Sequence, residues 1–480
     1  MRATRKAQSL KIQFLGASQQ VTGSSYFVEA AGLRLLVDCG LYQERAYLER
    51  NWIPFPVSPE SLDFVLLTHV HLDHSGLLPK LIREGFRNKI LMTPASADLL
   101  PVVLLDSAQI QEEDAAQKKK RHQKEGRRAR HPEVPLYTTT EAERVGDFVR
   151  RVPYEKRIAL RKGVAVRFRE AGHILGSASI DFSVREGRRT FRTVFSGDLG
   201  QPRKPLIRDP AVFEQAQTVV MESTYGDRDH EDPDDTETML GRIIRETASA
   251  GGNVVIPVFA VERAQEMMFH LSRLIRQGRI PRLPVFLDSP MATDVTAVFL
   301  RHQGSLDKET IGLFRSGQSP FQFAGLRYIR SQEESKALNG LRRPAVIMAG
   351  SGMCTGGRIK HHLLHNISRP ESTLLFVGYQ AEGTLGRQIT TRPPEVRIFG
   401  QPHPLKARVQ QIHGLSGHAD RSGLVRWVGH FQPPRPLVFL THGENEVAQG
   451  LARYLREERH LDASVPGYRD LYELKFSGNP

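Results

Sequence analysis

The sequence predicts an α/β protein with more than one domain. Its 480 residues exceed what one hydrophobic core usually organises, so we expect at least two domains. The chain begins with short strand candidates separated by turn residues, such as SSYFVEA and LRLLVDCG. From about residue 209, apolar strand candidates alternate with helical stretches, and this alternation is typical of a parallel sheet with crossover helices.

These changes in pattern divide the chain into three segments. Residues 1–208 form the first α/β segment, and residues 209–394 form the alternating segment. Residues 395–480 follow with a strand (ARVQQIHG), a helix (GLVRWVGHF), a second strand (PLVFLTHGE) and a last helix. We therefore predict two domains, with boundaries near residues 208 and 394.

The composition indicates a globular protein of a reducing compartment. Hydrophobic residues make up 39% and charged residues 25% of the chain, an ordinary balance for globular proteins. The two cysteines, Cys39 and Cys354, do not make a disulfide framework, which predicts a cytoplasmic location. The N-terminal MRATRKAQSL lacks the apolar core of a secretory signal, and no apolar run approaches a membrane span. We expect no membrane partner.

The charge of the chain favours a polyanionic partner such as nucleic acid. The formal net charge is +14 and the sequence pI is about 9.8. Part of this charge lies in residues 107–135, where QKKKRHQKEGRRARH contains eight Lys or Arg residues and one acid. A solvated helix or hairpin would explain this basic arm, and a phosphate-contacting arm is the functional alternative.

A cluster of ionisable side chains follows the apolar strand DFVLL. In THVHLDHSG, His69 and His71 stand at alternate positions, and Asp73 and His74 follow in a tight turn. Neutral imidazoles and carboxylates are the ligands of zinc and similar divalent ions. Single histidines are usually surface or packed core residues, but four such groups at H-x-H-x-D-H spacing predict a metal site.

Three more candidate ligands follow apolar strands. They are His173 in AGHILGS, Asp198 in FSGDLG and His442 in FLTHGE. Taken singly, each has an ordinary structural explanation as a turn residue, a helix cap or a packed residue at a strand end. Because all three end strands in the way that THVHLDH does, we expect them to join the histidine cluster.

The order H-x-H-x-D-H, GH, GD on alternating β segments resembles the metallo-β-lactamase fold. The resemblance implies an αββα sandwich with a dinuclear metal site at one sheet edge. It also implies two zinc ions, with manganese left open, and an aspartate, Asp38 in LLVDCG, that supports the histidine loop. The implied ligands are His69, His71 and His173 for one metal, Asp73, His74 and His442 for the other, and Asp198 between the two.

The alternating segment narrows the resemblance to the β-CASP subgroup. MESTYGDR, GNVVIPVFAVERAQE, AGSGMCTGGRI, VGYQAEGTLGR and LSGHAD resemble these nucleic-acid-processing enzymes, in which an α/β domain is inserted into the metallo-β-lactamase domain. Residues 395–480 would then complete the first domain. Glu222, His418 and His442 match the three subgroup motifs, and a histidine at the last motif goes with RNA-processing members. The resemblance covers nearly the whole chain.

This resemblance implies a ribonuclease that hydrolyses single-stranded RNA. Cleavage would be mainly endonucleolytic, with added 5′→3′ exonuclease activity left open. We assign His418 as the general acid and Glu222 as the residue that orients its ring. Asp73 would orient the nucleophile while it acts as a ligand.

Two glycine-rich loops of the alternating segment are candidates for RNA contacts. SGMCTGGRIK precedes a predicted helix, and a helix N-terminus binds anions, so we single out Ser351 and Gly352. In GYQAEGTLGR, Thr384 and Arg387 are expected phosphate contacts. Tyr379 is either a base-stacking residue or a packed residue at a strand end.

Three alternative functions stay open. A small-molecule metallo-hydrolase would need only the metal motif, and it leaves the inserted segment and the basic charge unexplained. A DNA nuclease of the same subgroup is disfavoured by His442. A non-catalytic RNA-binding scaffold is disfavoured because all seven candidate ligands are present. A homodimer or an RNA-processing complex is left open as the assembly.

Overall fold

The chain folds into two compact units. The computed structural model describes residues 9–126, 133–230, 233–341, 343–378, 380–412 and 414–475. The first unit comprises Met1–Pro202, Asp209–Asp229 and His418–Pro480, and the second comprises Arg203–Arg208 and His230–Gly417.

Most of the described strands before residue 218 follow one another without an intervening α-helix, and strands alternate with helices through most of residues 218–398. The strands are β1 (Ser9–Gly16), β2 (Ser25–Ala30), β3 (Leu33–Val37), β4 (Phe64–Leu66), β5 (Lys89–Met92), β6 (Val149–Arg151), β7 (Ile158–Arg161), β8 (Val164–Glu170), β9 (Ala178–Glu186), β10 (Arg189–Phe195), β11 (Thr218–Glu222), β12 (Val254–Pro257), β13 (Val285–Asp288), β14 (Leu326–Tyr328), β15 (Val346–Ala349), β16 (Thr373–Val377), β17 (Glu395–Ile398), β18 (Gln401–Pro404), β19 (Arg408–Ile412), β20 (Leu437–Thr441), β21 (Ala463–Ser464) and β22 (Leu471–Lys475). The helices are α1 (Leu72–Ser75), α2 (Leu78–Arg83), α3 (Pro94–Glu125), α4 (Thr139–Glu143), α5 (Pro233–Ser249), α6 (Arg263–Arg276), α7 (Pro290–Arg301), α8 (Lys308–Arg315), α9 (Gln332–Ala337), α10 (Ile359–Asn366), α11 (Leu385–Thr390), α12 (Arg421–Val428) and α13 (Asn445–Arg459).

The first unit is a sandwich of two seven-stranded sheets. Their strand orders are β22-β1-β2-β3-β4-β5-β6 and β21-β20-β11-β10-β9-β8-β7. Apolar side chains of both sheets, such as Phe14, Phe168 and Phe439, form one buried core between them. Helices α12 and α13 cover the outer face of the second sheet through a further core that includes Trp427 and Leu451. The α/β sandwich implied by the sequence is confirmed.

Parallel strands in both sheets direct the candidate ligands to strand ends. In the first sheet, β3, β4 and β5 are parallel neighbours, and Asp38 and the His69 loop follow their carboxyl ends. In the second sheet, β10, β11 and β20 are parallel neighbours. Asp198, Glu222 and His442 lie at or just after the carboxyl ends of these three strands. Strand direction therefore accounts for the convergence of residues that are far apart in sequence.

The second unit contains a six-stranded parallel sheet of order β14-β13-β15-β12-β16-β19. This order corrects the expectation for ARVQQIHG, which the sequence analysis grouped with the segment that completes the first domain. Its strand β19 pairs in register with β16, Thr373 opposite Arg408, and so belongs to the second unit. A strand this short carries no sequence signal that selects its sheet. His413, in the same stretch, lies outside the described residues.

The described part of the basic arm is the end of a long helix. Helix α3 begins at the cap residue Thr93, whose side chain accepts a hydrogen bond from Ser96 N, and ends at Gly126 in a left-handed conformation. The side chains of Lys118–Lys120 and Arg121 are exposed on its last turns, while Arg127–Arg128 lie outside the described residues. None of the described helices combines the length and apolar character that a membrane span requires.

Candidate metal centre

The histidine loop is anchored from beneath by Asp38. Its Oδ1 accepts a hydrogen bond from Thr68 N at 2.7 Å, and its Oδ2 accepts one from Thr68 Oγ1 at 2.8 Å. His74 Nδ1 lies 2.8 Å from the same Oδ2. All three residues are buried, so these bonds fix the loop where water cannot compete for them.

The hydrogen bonds of Thr68 also select the tautomer of His69. Because the Thr68 hydroxyl donates to Asp38, its oxygen accepts from His69 Nδ1, which lies 3.1 Å away. His69 Nε2 is then the nitrogen that could bind a cation. His74 follows the same rule, since its Nδ1 donates to Asp38 and its Nε2 faces Asp198 Oδ1 at 3.1 Å. An outer partner on the second ring nitrogen is the usual arrangement of metal-binding histidines.

Three imidazoles converge on the first group of ligand atoms. His71 Nδ1 lies 3.1 Å from both His69 Nε2 and His173 Nε2. Asp198 Oδ2 lies 3.4 Å from His69 Nε2 and 3.5 Å from His173 Nε2. These four residues offer ligand atoms that all lie within 4.8 Å of one another. Such a set fits a single divalent cation.

A second group of ligand atoms lies on the other side of Asp198. Asp73, His74 and His442 also offer atoms within 4.8 Å of one another. His442 Nε2 lies 3.4 Å from Asp73 Oδ2 and 3.6 Å from Asp198 Oδ1. The two oxygens of Asp198 thus face the two groups, as a bridging ligand requires. Asp198 Oδ1 is buried and makes no hydrogen bond within the described residues, an arrangement that a cation would satisfy.

The position of His442 depends on a residue that the sequence analysis missed. His442 has a left-handed backbone (φ 51°), and its N–H donates to Ala17 O at 2.7 Å. Thr224 Oγ1 donates to His442 O and lies 3.0 Å from His442 Nδ1. Because the hydroxyl donates its proton to the carbonyl, Thr224 Oγ1 accepts from Nδ1, and His442 Nε2 is the nitrogen that could bind a cation. Both threonines, Thr68 and Thr224, adjoin motif residues in sequence, and that proximity was the available signal.

The titration behaviour of the imidazoles fits two cation sites. Burial, aided by the neighbouring histidines, lowers the pKa of His69 to about 3 and that of His71 to about 4, which favours the neutral rings that metal binding requires. Burial also opposes charge on His74 and His442. For these two residues the neighbouring carboxylates together affect the pKa more than burial does. Asp198 and Asp38 raise the pKa of His74, and Asp198 and Asp73 raise that of His442. The second group is therefore an electronegative site that favours a positive charge.

The partly exposed His418 and the buried Glu222 form a pair beside both groups. His418 Nδ1 lies 3.1 Å from each carboxylate oxygen of Glu222, and Glu222 Oε1 also accepts from Leu199 N at 2.6 Å. Burial lowers the pKa of His418, but the Glu222 and Asp198 carboxylates outweigh it and raise this pKa to about 9. The two carboxylates therefore favour the protonated ring that a general acid needs. His418 also lies within ligand reach of Asp198 and His442.

The four predicted substrate residues lie in the second unit, on two loops that touch each other. Gly386 N donates to Met353 O at 3.2 Å, which joins the loop of Ser351 and Gly352 to the helix α11 of Arg387. A Cβ atom on Gly352 would lie 2.7 Å from the Phe259 ring, so a larger residue there would have to displace that ring. Arg387 is exposed.

Thr384 has a structural task that the sequence analysis did not assign. Its Oγ1 accepts from Arg387 N at 3.2 Å as the cap of α11 and donates to Ala381 O at 2.6 Å. Threonine at a helix start is itself a capping signal. Its phosphate contact stays a prediction, as do those of Ser351, Gly352 and Arg387. Tyr379 lies outside the described residues.

Three family models match consecutive parts of the chain. Residues 19–242 match the metallo-beta-lactamase superfamily, and residues 264–389 match the Beta-Casp domain. Residues 402–466 match the Zn-dependent metallo-hydrolase RNA specificity domain. These matches agree with the sandwich, the inserted unit and the metal-binding character of the buried cluster.

Curated relatives match nearly the full length of the chain. Ribonuclease TTHA0252 of Thermus thermophilus is 40% identical over 447 residues, which cover 93% of this chain and 96% of the relative. The transcription termination factor FttA of Methanosarcina mazei is 33% identical, covering 94% of this chain and 69% of the relative. FttA of Methanocaldococcus jannaschii is 31% identical, covering 97% and 72%.

A solved structure shares the fold. The crystal structure of a protein of unknown function from Enterococcus faecalis aligns with a TM-score of 0.58 and 11% sequence identity. The alignment covers 97% of this chain and 100% of that chain. At this identity, the likeness concerns the fold alone.

Proposed function

The chain belongs to the β-CASP family of metallo-β-lactamase-fold hydrolases, and on that premise we propose that it is a metal-dependent endoribonuclease acting on single-stranded RNA. The observation that carries the proposal is the contact of His418 Nδ1 with both Glu222 oxygens, 3.1 Å each, beside two ligand groups that share Asp198. The match to an RNA specificity domain and the relative named a ribonuclease support RNA as the substrate.

We propose two zinc ions as the cofactors, with manganese as the alternative. Buried neutral imidazoles and carboxylates suit zinc, and the set of seven candidate ligands has the composition expected for two ions. The ligands would be His69, His71 and His173 on one side and Asp73, His74 and His442 on the other, with Asp198 between them. When bound, the metals would lower the pKa of a water molecule and offset negative charge on the phosphate.

The chain itself would supply the proton for the leaving group. The Glu222 carboxylate accepts from His418 Nδ1, so the ring presents Nε2 as the donor. A proton on Nε2 would pass to the departing 3′ oxygen, and the products would have a 5′ phosphate and a 3′ hydroxyl. Asp73 would orient the attacking water while it binds metal. In the second unit, Ser351, Gly352, Thr384 and Arg387 would contact phosphates.

The test of this function is cleavage of end-labelled single-stranded RNA and of matched DNA. The full-length protein is assayed with zinc, with manganese and with a chelator. We expect chelator-sensitive cuts inside the RNA and none in the DNA. Equal cutting of DNA would indicate a DNA nuclease, and no cleavage of either by a protein that holds two metals would favour a small-molecule hydrolase.

His418→Ala tests the general-acid role of His418 independently of metal binding. We expect the metal content to stay at the wild-type level and kcat to fall by about 10²- to 10⁴-fold, the range of general acid catalysis. Product ends are analysed in parallel. A wild-type kcat in the variant would rule out the assignment, and 2′,3′-cyclic phosphate ends would rule out the hydrolytic route.

Three further proposals concern the location of the protein, an added exonuclease activity and the assembly state. We propose a cytoplasmic location, on the basis of the two buried free cysteines, Cys39 and Cys354. An added 5′→3′ exonuclease activity would appear in the same assay as shortening from the 5′ end. A homodimer or an RNA-processing complex is the proposed assembly, and light scattering of the purified protein tests the first.

A further inference from the structure

A half-exposed phenylalanine stands at the tip of a small hairpin in the second unit. Strands β17 and β18 pair with Ile398 opposite Gln401, so Phe399 and Gly400 form a two-residue turn. Both have left-handed backbones, with φ of 51° and 80°. Turns of this kind favour Asn-Gly, Asp-Gly or Gly-Gly, because bulky side chains are strained at positive φ. A large aromatic residue here goes against local preference, and such outliers suggest function.

The hairpin holds this phenylalanine on a rigid base. Val396 and Ile398 are buried in the same core as Ile359 and Leu363 of helix α10. Alternation along β17 therefore turns Arg397 outward, where its side chain donates to Gly400 O at 3.1 Å. The hairpin tip is fixed against α10 by this packing, so the exposed ring costs little further ordering on binding.

Cationic and aromatic groups of α10 surround the Phe399 ring. Lys360 Nζ lies 4.7 Å from the ring centroid, and the His361 ring centroid lies 4.8 Å away with the planes tilted by 38°. Phe399 nevertheless keeps 52% of its surface exposed. We call Phe399, Lys360, His361 and Arg397 the aromatic–basic site. Helix α10 directly follows the Ser351–Gly357 loop, so the site continues the proposed phosphate contacts.

The charge around this site favours a polyanion. Residues 357–369 contain no Asp or Glu, and Glu395 is the sole acid in residues 392–406. A half-exposed aromatic face beside lysine and arginine is the combination by which proteins hold single-stranded nucleic acid, with a base on the ring and phosphates on the cations. A docking surface for another protein would not need this depletion of acids.

We propose that the aromatic–basic site stacks a base of single-stranded RNA on Phe399 while Lys360 and Arg397 contact the adjoining phosphates. The inference rests on the proposed function, because it extends the same RNA beyond the loop of Ser351 and Gly352. It adds a contact that recognises any base by its flat face, so it would raise affinity for longer RNA without fixing a sequence.

Fluorescence of a base analogue tests the stacking directly. The metal-loaded full chain is titrated into cleavage-resistant single-stranded RNA that carries aminopurine at successive positions. We expect quenching at one position with the wild type and with Phe399→Tyr, but not with Phe399→Leu, which keeps apolar bulk and lacks the π face. RNA Kd should rise about 5- to 150-fold in Phe399→Leu, the range that base stacking spans.

The matched control is Leu300→Ala, a side chain of the same unit that is 43% exposed at the end of α7. It should leave quenching and Kd unchanged. Wild-type quenching and Kd in Phe399→Leu would overturn the inference. So would a change of oligomeric state in Phe399→Leu with wild-type Kd, because the ring would then serve a protein contact. Failure of the wild type to cleave ordinary RNA would defeat the proposed function alone, since quenching is read without cleavage.

Discussion

The metal centre of the first unit and the glycine-rich loops of the second unit act by different physical means. In the metal centre, His69 and Asp198 are 0% and 2% exposed, and hydrogen bonds fix their orientation. In the loops, Gly352 packs against the Phe259 ring and Arg387 is exposed, so the charge of Arg387 is the feature that the proposed RNA contact would use. Buried groups with fixed geometry act on the reaction itself, whereas exposed charges act on affinity. Changes in the first region should therefore lower kcat, and changes in the second should raise KM.

The largest effect is expected from Asp198→Asn. Asparagine keeps the size of the side chain but cannot supply two anionic oxygens to the two ligand groups. We expect loss of at least one metal and a fall in kcat of about 10³-fold or more, since metal catalysis contributes several kcal/mol. Metal analysis and RNA cleavage check it, with circular dichroism as the folding control. Full metal content with wild-type kcat would contradict the expectation that the buried groups of the metal centre determine kcat.

A smaller loss is expected from Thr224→Val, which removes the hydroxyl that accepts from His442 Nδ1. Valine is similar in size, but the ring then has no partner that fixes Nε2 as the ligand atom. Loss of such outer partners typically costs about 10- to 100-fold in metal affinity. Metal affinity is measured by competition with a chelator.

Thr224→Ser is the matched control for this change, because it restores the hydroxyl. It should bring metal affinity back to near the wild-type value. If serine and valine behave alike, the hydroxyl does not position His442, and the orientation of the ring depends on its backbone bond to Ala17 instead.

The sequence singled out the candidate metal ligands but not the residues that support them. His69, His173 and His442 were singled out because each is an unusual residue after an apolar strand, and the fold brings their side chains together around Asp198. Thr68 and Thr224 were missed because a hydroxyl beside a motif looks like any other threonine. Their roles depend on which ring nitrogen they face, and that geometry exists only once the loops are folded.

The extent of the second unit was harder to predict for a related reason. Strand β19 has no residue type that distinguishes the sheet of the second unit from the sheets of the first, and only pairing with β16 assigns it. In the loops, Thr384 was considered as a phosphate contact before its capping role, although its position before α11 predicts a cap. Glycine-rich loops show where a backbone turns, but not which atoms remain available to a ligand.

A modest effect on KM is expected from Arg387→Gln in the second unit. Its side chain is exposed, so removing its charge from one phosphate should raise KM for RNA about fivefold, the upper end for a solvent-screened charge pair. We expect kcat to stay unchanged. Steady-state kinetics separate the two constants, and Arg315→Gln, an exposed arginine on α8, is the control. A fall in kcat with constant KM would indicate that Arg387 acts on the reaction itself. It would contradict the expectation that changes in the second unit raise KM only.

The smallest effect is expected from changes at the basic end of α3. They test whether the exposure of a residue, or the unit to which it belongs, decides if its loss changes kcat or RNA affinity. Lys118–Lys120 and Arg121 belong to the first unit, yet they are exposed. Replacing them with glutamine should weaken RNA binding a fewfold at low salt and leave kcat unchanged. The slope of log K against log salt should fall by about 0.7 for each phosphate that the variant no longer neutralises. Binding titrations at several salt concentrations give this slope.

The control for this change removes the same number of charges elsewhere on the first unit, by glutamine at Lys156, Arg157, Arg161 and Lys162, all exposed. If both variants lower the slope equally, RNA responds to the overall charge of the protein rather than to the arm. An unchanged slope in the α3 variant would leave the arm as a solvated helix end. A reduced slope in that variant alone, with kcat unchanged, would show that exposed groups of the first unit contribute to RNA affinity, as those of the second unit do. Whether a residue acts on catalysis or on binding would then depend on its burial rather than on the unit that contains it.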